Sequence, residues 1–429
     1  MADRGAASDK RRPTLWILNH YALPPGEGAG TRHHDLGQEL GRLGWQVVIF
    51  AAGFNHFTGL QRHLIGRQLS SSEAFGDVRF VWLRTLPYRG NGGRRILNML
   101  SYLAVVMLVA TRARPRPDVI IGSTVHPFAA LAAWVLARRF RAKFFFEIRD
   151  LWPQSLIDMG AWSAGNPAVR LLQSLEAFLV ARADGVISLL PGIEPYLAAH
   201  NEQPRTLAYV PNGVRLGQPE DTQRLPAAAA SVLDRFGDVF VVGYTGAHGV
   251  NNGLDAVLEA AARLEEEGAG VAFILVGDGP EKARLENEAR RLGLERIEFL
   301  DPVPKAVIPS LLRRFDAGLM TVLPLPVHQY GVSFNKVFDY MASGLPIVFA
   351  CATPFDPVAE ARAGLSVTPG DAGQLAGAIL ELAGATASSR EAMGRRGQAY
   401  VASHHDIARL AERLDALLRR GADDAAEAA

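Results

Sequence analysis

Short apolar runs alternate with amphipathic stretches along nearly the whole chain. LWILNHYA (15–22), WQVVIFAAG (45–53), VRFVWLRTLPY (78–88), DVIIGSTV (118–125) and AKFFFEIRD (142–150) have the length and composition of strands covered on both faces. After the first of them, Leu36, Leu40 and Leu43 recur three or four apart, which predicts a helix that Thr31 can cap and Gly44 can end. Residues 54–77 are only patchily hydrophobic and read as a loop. A helix is expected from Phe128 to Arg139, and a helix followed by a strand over 169–193. The pattern then restarts. Residues 239–264 and 270–294 each read as strand, glycine loop and helix, and 296–324 continues the series. Two successive sets of such units predict an α/β chain with two Rossmann-like domains. A last helix, His404 to Arg420, carries Ile407, Leu410, Leu414, Leu417 and Leu418 on one face.

The stretch Gly331 to Pro346 carries the most chemistry. Ser333 can cap a helix with Asn335 and Lys336 in its first turn and Phe338, Met341 and Ala342 on one face. Gly344 can supply a left-handed stop, and Ile347 to Ala350 reads as a buried strand. Such a helix start suits an anion, Lys336 adds a full charge, and Asp339 one turn on can accept sugar or ribose hydroxyls. The competing reading is an ordinary capped helix with a surface lysine.

FNKVFDYMASGLPIVFA (334–350) resembles the donor-site helix of the family 4 glycosyltransferases, retaining nucleotide-sugar enzymes of the GT-B fold. It is most similar to the bacterial branch that handles amino sugars such as fucosamine in O-antigen and capsule assembly, and the resemblance spans nearly the whole chain. It implies an acceptor-side domain over 14–213, a nucleotide-sugar domain over 214–403, and a terminal helix, 404–420, that crosses back to the first domain. Within that frame PNGV (211–214) matches the hinge, and Glu147-Ile-Arg149-Asp150-Leu-Trp-Pro153 matches the E-x-R-D-x-W-P run of the branch, on the acceptor side. The loop holding Gly26, Gly28 and Gly30 would face the donor sugar and the acceptor. His126 would orient the sugar, although a structural histidine is the alternative, and Arg149–Asp150 could equally be an internal ion pair. On the donor side the resemblance implies Gly246, His248, Asn252, Gly277, Asp278, Val303 in the base-binding stretch, Ser333 and Asn335, with Lys336 on the diphosphate and Asp339 on hydroxyls. Ala247 and Asn252 stand where many relatives have Arg and Lys, and Gly331 where many have Glu. Lys336, the helix N-terminus and the glycine-loop amides are therefore expected to carry the phosphate charge.

Composition narrows the setting. With 48% hydrophobic and 21% charged residues the chain is an ordinary globular one. Its one cysteine, Cys351, excludes a disulfide framework and fits a reducing cytoplasm. The first thirteen residues have no apolar run behind their charges, so no secretory signal is expected. A net charge of +1 hides +9 on residues 1–213 and −8 on the remainder, and residues 78–143 hold 12 basic residues against one acid, Asp118. Within that basic region the apolar run Ile96 to Ala110 is shorter than the roughly 20 residues that cross a bilayer. It is either a buried helix or one lying at a membrane interface, and its arginine flanks favour an anionic membrane surface. Nucleic acid is not expected, since the basic stretch is aliphatic and no nucleic-acid fold is recognisable.

The absence of any Asp-x-Asp, together with the resemblance, implies a metal-independent enzyme without a cofactor. The expected activity is transfer of an N-acetylated amino or deoxy-amino sugar from a UDP-sugar to a lipid-linked or glycan acceptor, at the inner face of the cell membrane. A nucleotide-sugar epimerase and a non-catalytic sugar-nucleotide-binding subunit are the alternatives. A dehydrogenase is disfavoured because the first glycine loop lacks G-x-G-x-x-G.

Overall fold

The computed structural model describes residues 11–426, apart from 29, 57, 91 and 218–222. The first sheet contains β1 (Thr14–Leu18), β2 (Gln46–Ala52), β3 (Ser70–Phe75), β4 (Val78–Leu83), β5 (Val119–Ser123), β6 (Lys143–Ile148), β7 (Gly185–Ser188) and β8 (Leu207–Tyr209). Their order is β3-β4-β2-β1-β5-β6-β7-β8, parallel except for the β3–β4 pair. The apolar runs form the middle of this sheet because helices cover both of its faces. β3 corrects the loop expected over 54–77. Its sequence, SSSEAF, is polar because it is a partly exposed edge strand, and its existence depends on the tight turn at Gly76 (φ 60°) that folds it onto β4.

The second sheet is wholly parallel: β9 (Phe240–Thr245), β10 (Val271–Val276), β11 (Ile297–Leu300), β12 (Ala317–Thr321), β13 (Ile347–Ala350) and β14 (Gly364–Val367), in the order β11-β10-β9-β12-β13-β14. Among the parallel strands of each sheet the order reverses once, between β1 and β5 and between β9 and β12. Ligands of open α/β sheets lie at the C-terminal ends of the strands beside such a reversal.

The chain passes between the lobes twice, and the two passages are bonded together. The Val214 N–H donates to the His405 carbonyl at 2.9 Å, and the Ile407 N–H donates to the Val214 carbonyl at 3.0 Å. Gly213 must lack a side chain here, since a Cβ would sit 2.5 Å from the His405 carbonyl oxygen. The His405 ring stacks on Phe338 with centroids 3.7 Å apart. This passage interrupts the expected terminal helix, which runs from Ile407 to Ala426 and is preceded by a separate helix, Ala387–His404. Leu410, Leu414 and Leu418 are buried against β1, β2 and the helix Arg32–Arg42 of the first lobe. Burial of each contributes at most about 1.5–3 kcal/mol.

The basic apolar run forms the helix Gly93–Ala110. One face, with Asn98, Met99, Tyr102, Val106 and Ala110, is buried beneath the first lobe's surface, and the Tyr102 hydroxyl donates to the Phe50 carbonyl at 2.8 Å. The opposite face exposes Ile96, Leu97, Leu100 and Leu108. The helix has a mean hydropathy of 1.4, long and apolar enough by composition to span a bilayer, yet it packs lengthwise on the domain.

Glu176 lies buried in the helix Pro167–Arg182 and accepts a 3.2 Å hydrogen bond from the Tyr196 hydroxyl. Burial and then the neighbouring Glu202 push its carboxyl up to about 8. The folded state therefore prefers the protonated acid. Stability is unaffected below the ordinary carboxyl range and declines as pH rises from about 4.3 toward the folded value. Glu176→Gln should leave the melting temperature nearly unchanged at pH 3.5 and raise it at pH 9, measured by circular dichroism.

Candidate active site

Lys336 sits in the first turn of the helix Asn335–Ala342 and points across to the end of β9. Its Nζ donates to the Tyr244 hydroxyl at 2.9 Å and to Asn252 Oδ1 at 3.3 Å, and stands 4.2 Å from the centre of the Tyr244 ring. A Cβ on Gly246 would come within 3.0 Å of this ammonium. The lysine is half-buried and its partners are neutral, and burial lowers it to about 7. Asn252 thus remains in the site as a holder of Lys336, where many relatives have a cation. The helix is fixed beneath by Tyr340, whose hydroxyl accepts the Thr245 N–H at 2.8 Å.

His248 is fully buried between two glycine turns, and neither ring nitrogen has a hydrogen-bond partner. Burial, followed by the charge of Lys282, keeps it down at about 4, hence neutral. The glycine loops do not act as expected. The N–H of Gly246 donates to the Val276 carbonyl, that of Gly277 to the Leu300 carbonyl, that of His248 to the Asp278 carbonyl and that of Gly279 to Asp278 Oδ1. These four amides are already used within the protein and are not open to a phosphate. Glycine is required here for close approach: a Cβ on Gly277 would lie 1.8 Å from the Gly246 carbonyl oxygen, and one on Gly279 would lie 2.4 Å from that of His248. Asp278 and Asn335 are exposed on the same rim, and Val303 is half-buried at the edge of the second core.

Ser333 does not cap the helix. Phe334 occupies the cap position without a side-chain bond, and Ser333 Oγ accepts the Asn212 N–H at 2.9 Å instead. Thr31 is recruited in the same way. Its hydroxyl donates to Asp35 Oδ2 at 2.6 Å and accepts from Lys305 Nζ of the other lobe at 2.6 Å. Arg215 reaches Asp35 at 3.3 Å. Burial opposes ionisation of Asp35, but bonds from His34 and Thr31 and the charges of Lys305 and Arg215 bring it down to about 2. Asp339 faces this cluster. Burial pushes it up to about 6, with Lys305 opposing and Asp35 reinforcing the rise.

On the first lobe Glu147 is not an acceptor-lining group. It is 2% exposed and holds Arg32 at 3.1 Å, His33 Nε2 at 2.6 Å and the Ser123 hydroxyl at 2.6 Å. Burial opposes its ionisation, and His33 and the Arg32 guanidinium overcome this and hold it well below the usual carboxylate range. Arg32 also donates to the carbonyls of Val210 and Pro211 at the hinge. His126 has no exposed surface; its Nε2 meets His20 Nδ1 at 3.0 Å. It cannot touch an incoming sugar and instead positions His20, which lines a cavity together with Gly30 and Arg149. Gly28 is exposed in the preceding loop, and Asp150 is exposed next to Arg149. His20, His56 and Arg95 were not foreseen as site residues, because they come from separate segments without a motif. Among the described residues no group of three or more His, Cys, Asp or Glu is placed to hold a metal ion.

The cleft between the lobes is flanked by Thr31, Met159 and Gly192 of the first lobe and by Asn251, Lys305 and Tyr330 of the second. The lobes touch across it through Lys305–Thr31, through Asn251 Nδ2 to Met159 Sδ at 2.8 Å, and through the Gly192 N–H to the Tyr330 carbonyl at 2.9 Å.

Two family models match the chain, one on each lobe: the Glycosyl transferase 4-like domain over residues 27–213 and the Glycosyl transferases group 1 domain over 239–385. The chain thus pairs a Glycosyl transferase 4-like domain with a Glycosyl transferases group 1 domain. Sucrose-phosphate synthase from Thermosynechococcus elongatus has the same fold, with a TM-score of 0.74 at 18% identity over 95% of this chain and 99% of that one. Anabaena HepE in complex with UDP matches with a TM-score of 0.67 at 18% identity over 95% of this chain and 100% of that one. The arrangement is the expected GT-B fold. The putative colanic acid biosynthesis glycosyl transferase WcaI of Escherichia coli (strain K12) is 27% identical over 252 residues, which cover 56% of this chain and 60% of that relative.

Replacing Glu147 by Gln leaves the Arg32 guanidinium buried and uncompensated. The cost should be about 3–5 kcal/mol of unfolding free energy, measured in urea at neutral pH, and a loss below about 1 kcal/mol would contradict the network's structural role.

Proposed function

We propose that the chain transfers a sugar, an N-acetylated amino or deoxy-amino sugar, from a UDP-sugar to a lipid-linked or glycan acceptor, with retention of configuration and without a metal ion. The observation that carries this reading is Lys336. It is an ammonium of the second lobe held by neutral groups at the end of β9, beside a glycine that leaves it approachable. HepE, which shares the fold, was crystallised with UDP and with UDP-glucose, and this supports a UDP-sugar as donor.

In this scheme the bond between the anomeric carbon and the diphosphate oxygen breaks, and the electron pair leaves with the diphosphate. Lys336 and the N-terminus of its helix stabilise the charge that develops there. The acceptor oxygen forms the new bond on the same face, and its proton passes to the departing phosphate oxygen, so no separate base is needed. Asp339, turned toward the interlobe cluster, takes ribose or sugar hydroxyls. His248, buried between the glycine turns, supports the loop beside Lys336. The test is release of UDP from a panel of UDP- and GDP-amino sugars by the purified chain with a lipid-linked acceptor; donor hydrolysis or epimerisation without acceptor-dependent turnover would reject the reading.

The exposed face of the helix Gly93–Ala110, flanked by Arg94, Arg112, Arg114 and Arg116, supports peripheral attachment to an anionic membrane on the cytoplasmic side. The double substitution Leu97→Glu with Leu100→Glu should abolish co-flotation with anionic vesicles while the protein remains folded. Undiminished flotation would discard this surface.

The lowered lysine gives a pH signature. Its charge is present below about pH 7 and is lost above it. UDP affinity should therefore fall between pH 6 and 9 in the native chain and stay level in Lys336→Arg, whose guanidinium does not titrate there. Lys336→Ala should weaken UDP binding roughly 10- to 100-fold at pH 6, the value of a charge-assisted contact. Calorimetry would measure both, and an unchanged Kd for Lys336→Ala would remove this residue from the site.

A further inference from the structure

The helix Ile193–Ala199 ends in a turn whose last residue does not suit its place. His200 closes the helix and Asn201 takes a left-handed conformation (φ 56°). The N–H groups of Asn201 and Glu202 then donate back to the carbonyls of Ala198 and Leu197, at 3.1 and 2.8 Å. Asn tolerates the left-handed position, and this pair of bonds is a common way to end a helix. The residue that completes such a turn frequently has an apolar side chain packed back on the helix. Here it is Glu202, which is 8% exposed and whose Oε2 is buried without a hydrogen-bond partner. A buried carboxylate that nothing completes is costly, and a local rule broken in this way marks a place with another use.

Glu202 lines a pocket of about 440 Å³ at the N-terminal end of β8, the end of the strand opposite the cleft. Leu197, Pro204 and Leu207 give the pocket apolar walls. Glu194, exposed in the first turn of the same helix, brings a second carboxylate to its rim. No basic side chain belongs to the lining. Arg205, close by in the chain, turns to Asp184 at 3.8 Å, and His200 Nδ1 meets the Tyr196 carbonyl at 2.9 Å. The groups that face Glu202 from the inner side are Glu176 and the Tyr196 hydroxyl bonded to it, and neither carries positive charge. Burial pushes the Glu202 carboxyl up to about 7, so the empty pocket holds it partly protonated at neutral pH. The volume falls in the range of pockets for small organic molecules and far exceeds a single ion.

We propose that this pocket binds an organic cation, a primary ammonium on a short apolar stem, with Glu202 as the buried counter-charge and Glu194 at the rim. An ammonium supplies three donors to oxygens on different sides, and its stem takes the leucine and proline walls. A bare metal ion matches the site poorly, since among the described residues no group of three or more His, Cys, Asp or Glu is placed to hold one. The site lies outside the interlobe cleft and does not depend on the sugar-transfer reading.

The experiment titrates n-butylammonium into the full chain at pH 8.5, followed by ligand-observed proton NMR. The controls are n-butanol, which has the stem without the charge, and magnesium chloride, which has charge without the stem. Butylammonium should bind saturably and more tightly than butanol, and equimolar magnesium should not displace it. Glu202→Gln keeps the shape and removes the buried acid. It should weaken binding about tenfold or more without lowering the melting temperature, and Glu194→Gln should weaken it to a lesser degree. In the native chain affinity should rise about tenfold or more from pH 5.5 to 8.5 as Glu202 ionises, and Glu202→Gln should lack most of that rise. The assignment is overturned by an absence of saturable binding, by equal affinity for butanol, by displacement with equimolar magnesium, by native affinity that is level across that pH range, or by unchanged affinity in Glu202→Gln.

Discussion

The buried pair of Arg32 and Glu147 is the constraint on which the rest of the first lobe depends. Glu147 ends β6, Arg32 begins the helix after the glycine loop, and the same guanidinium bonds two hinge carbonyls. One charge pair therefore fixes a strand end, a helix start and the passage to the second lobe. Removing two charges from water is costly, and such a pair is retained only where its remaining hydrogen bonds are met. His33, Ser123, Val210 and Pro211 meet them here. Because Arg32 is held, Thr31 and Asp35 stand where Lys305 of the other lobe can reach them, and the cleft acquires a defined width.

Charge is handled in the opposite way where ligands are expected. Lys336 is held by a phenol and an amide, Arg149 keeps a buried unbonded nitrogen, and His248 has two. Arg32 and Glu147 neutralise each other, as Asp35 does with Lys305 and Arg215 between the lobes, whereas Lys336 has only neutral partners. Each unpaired group lowers the stability of the empty protein, and each becomes an attraction when a complementary anion enters.

The strands and the second-lobe helix were legible because they are buried on both faces, which leaves apolar runs that nothing else produces. β3 was not, since an edge strand is specified by its turn and its partner. The capping roles given to Ser333 and Thr31 failed for a related reason: both hydroxyls are taken by groups far away in the chain, Asn212 and Lys305, and local pattern does not report distant competition. Gly277 was expected to free its amide for a phosphate, but its amide is bonded to Leu300 and its lack of a side chain lets two turns touch. His126 was read to the right neighbourhood and the wrong depth. Of the cavity's lining only Arg149 was legible, through the E-x-R-D-x-W-P run; His20, His56 and Arg95 left no trace, because only the strand order brings their segments to one edge.

The helix Gly93–Ala110 has a consequence that follows from its two ends of contact. Its outer side faces away from the domain, while Arg95 in its first turn stands on the wall of the cavity. One helix therefore serves two sides of the lobe: it turns leucines and an isoleucine outward and brings a guanidinium to an inner wall.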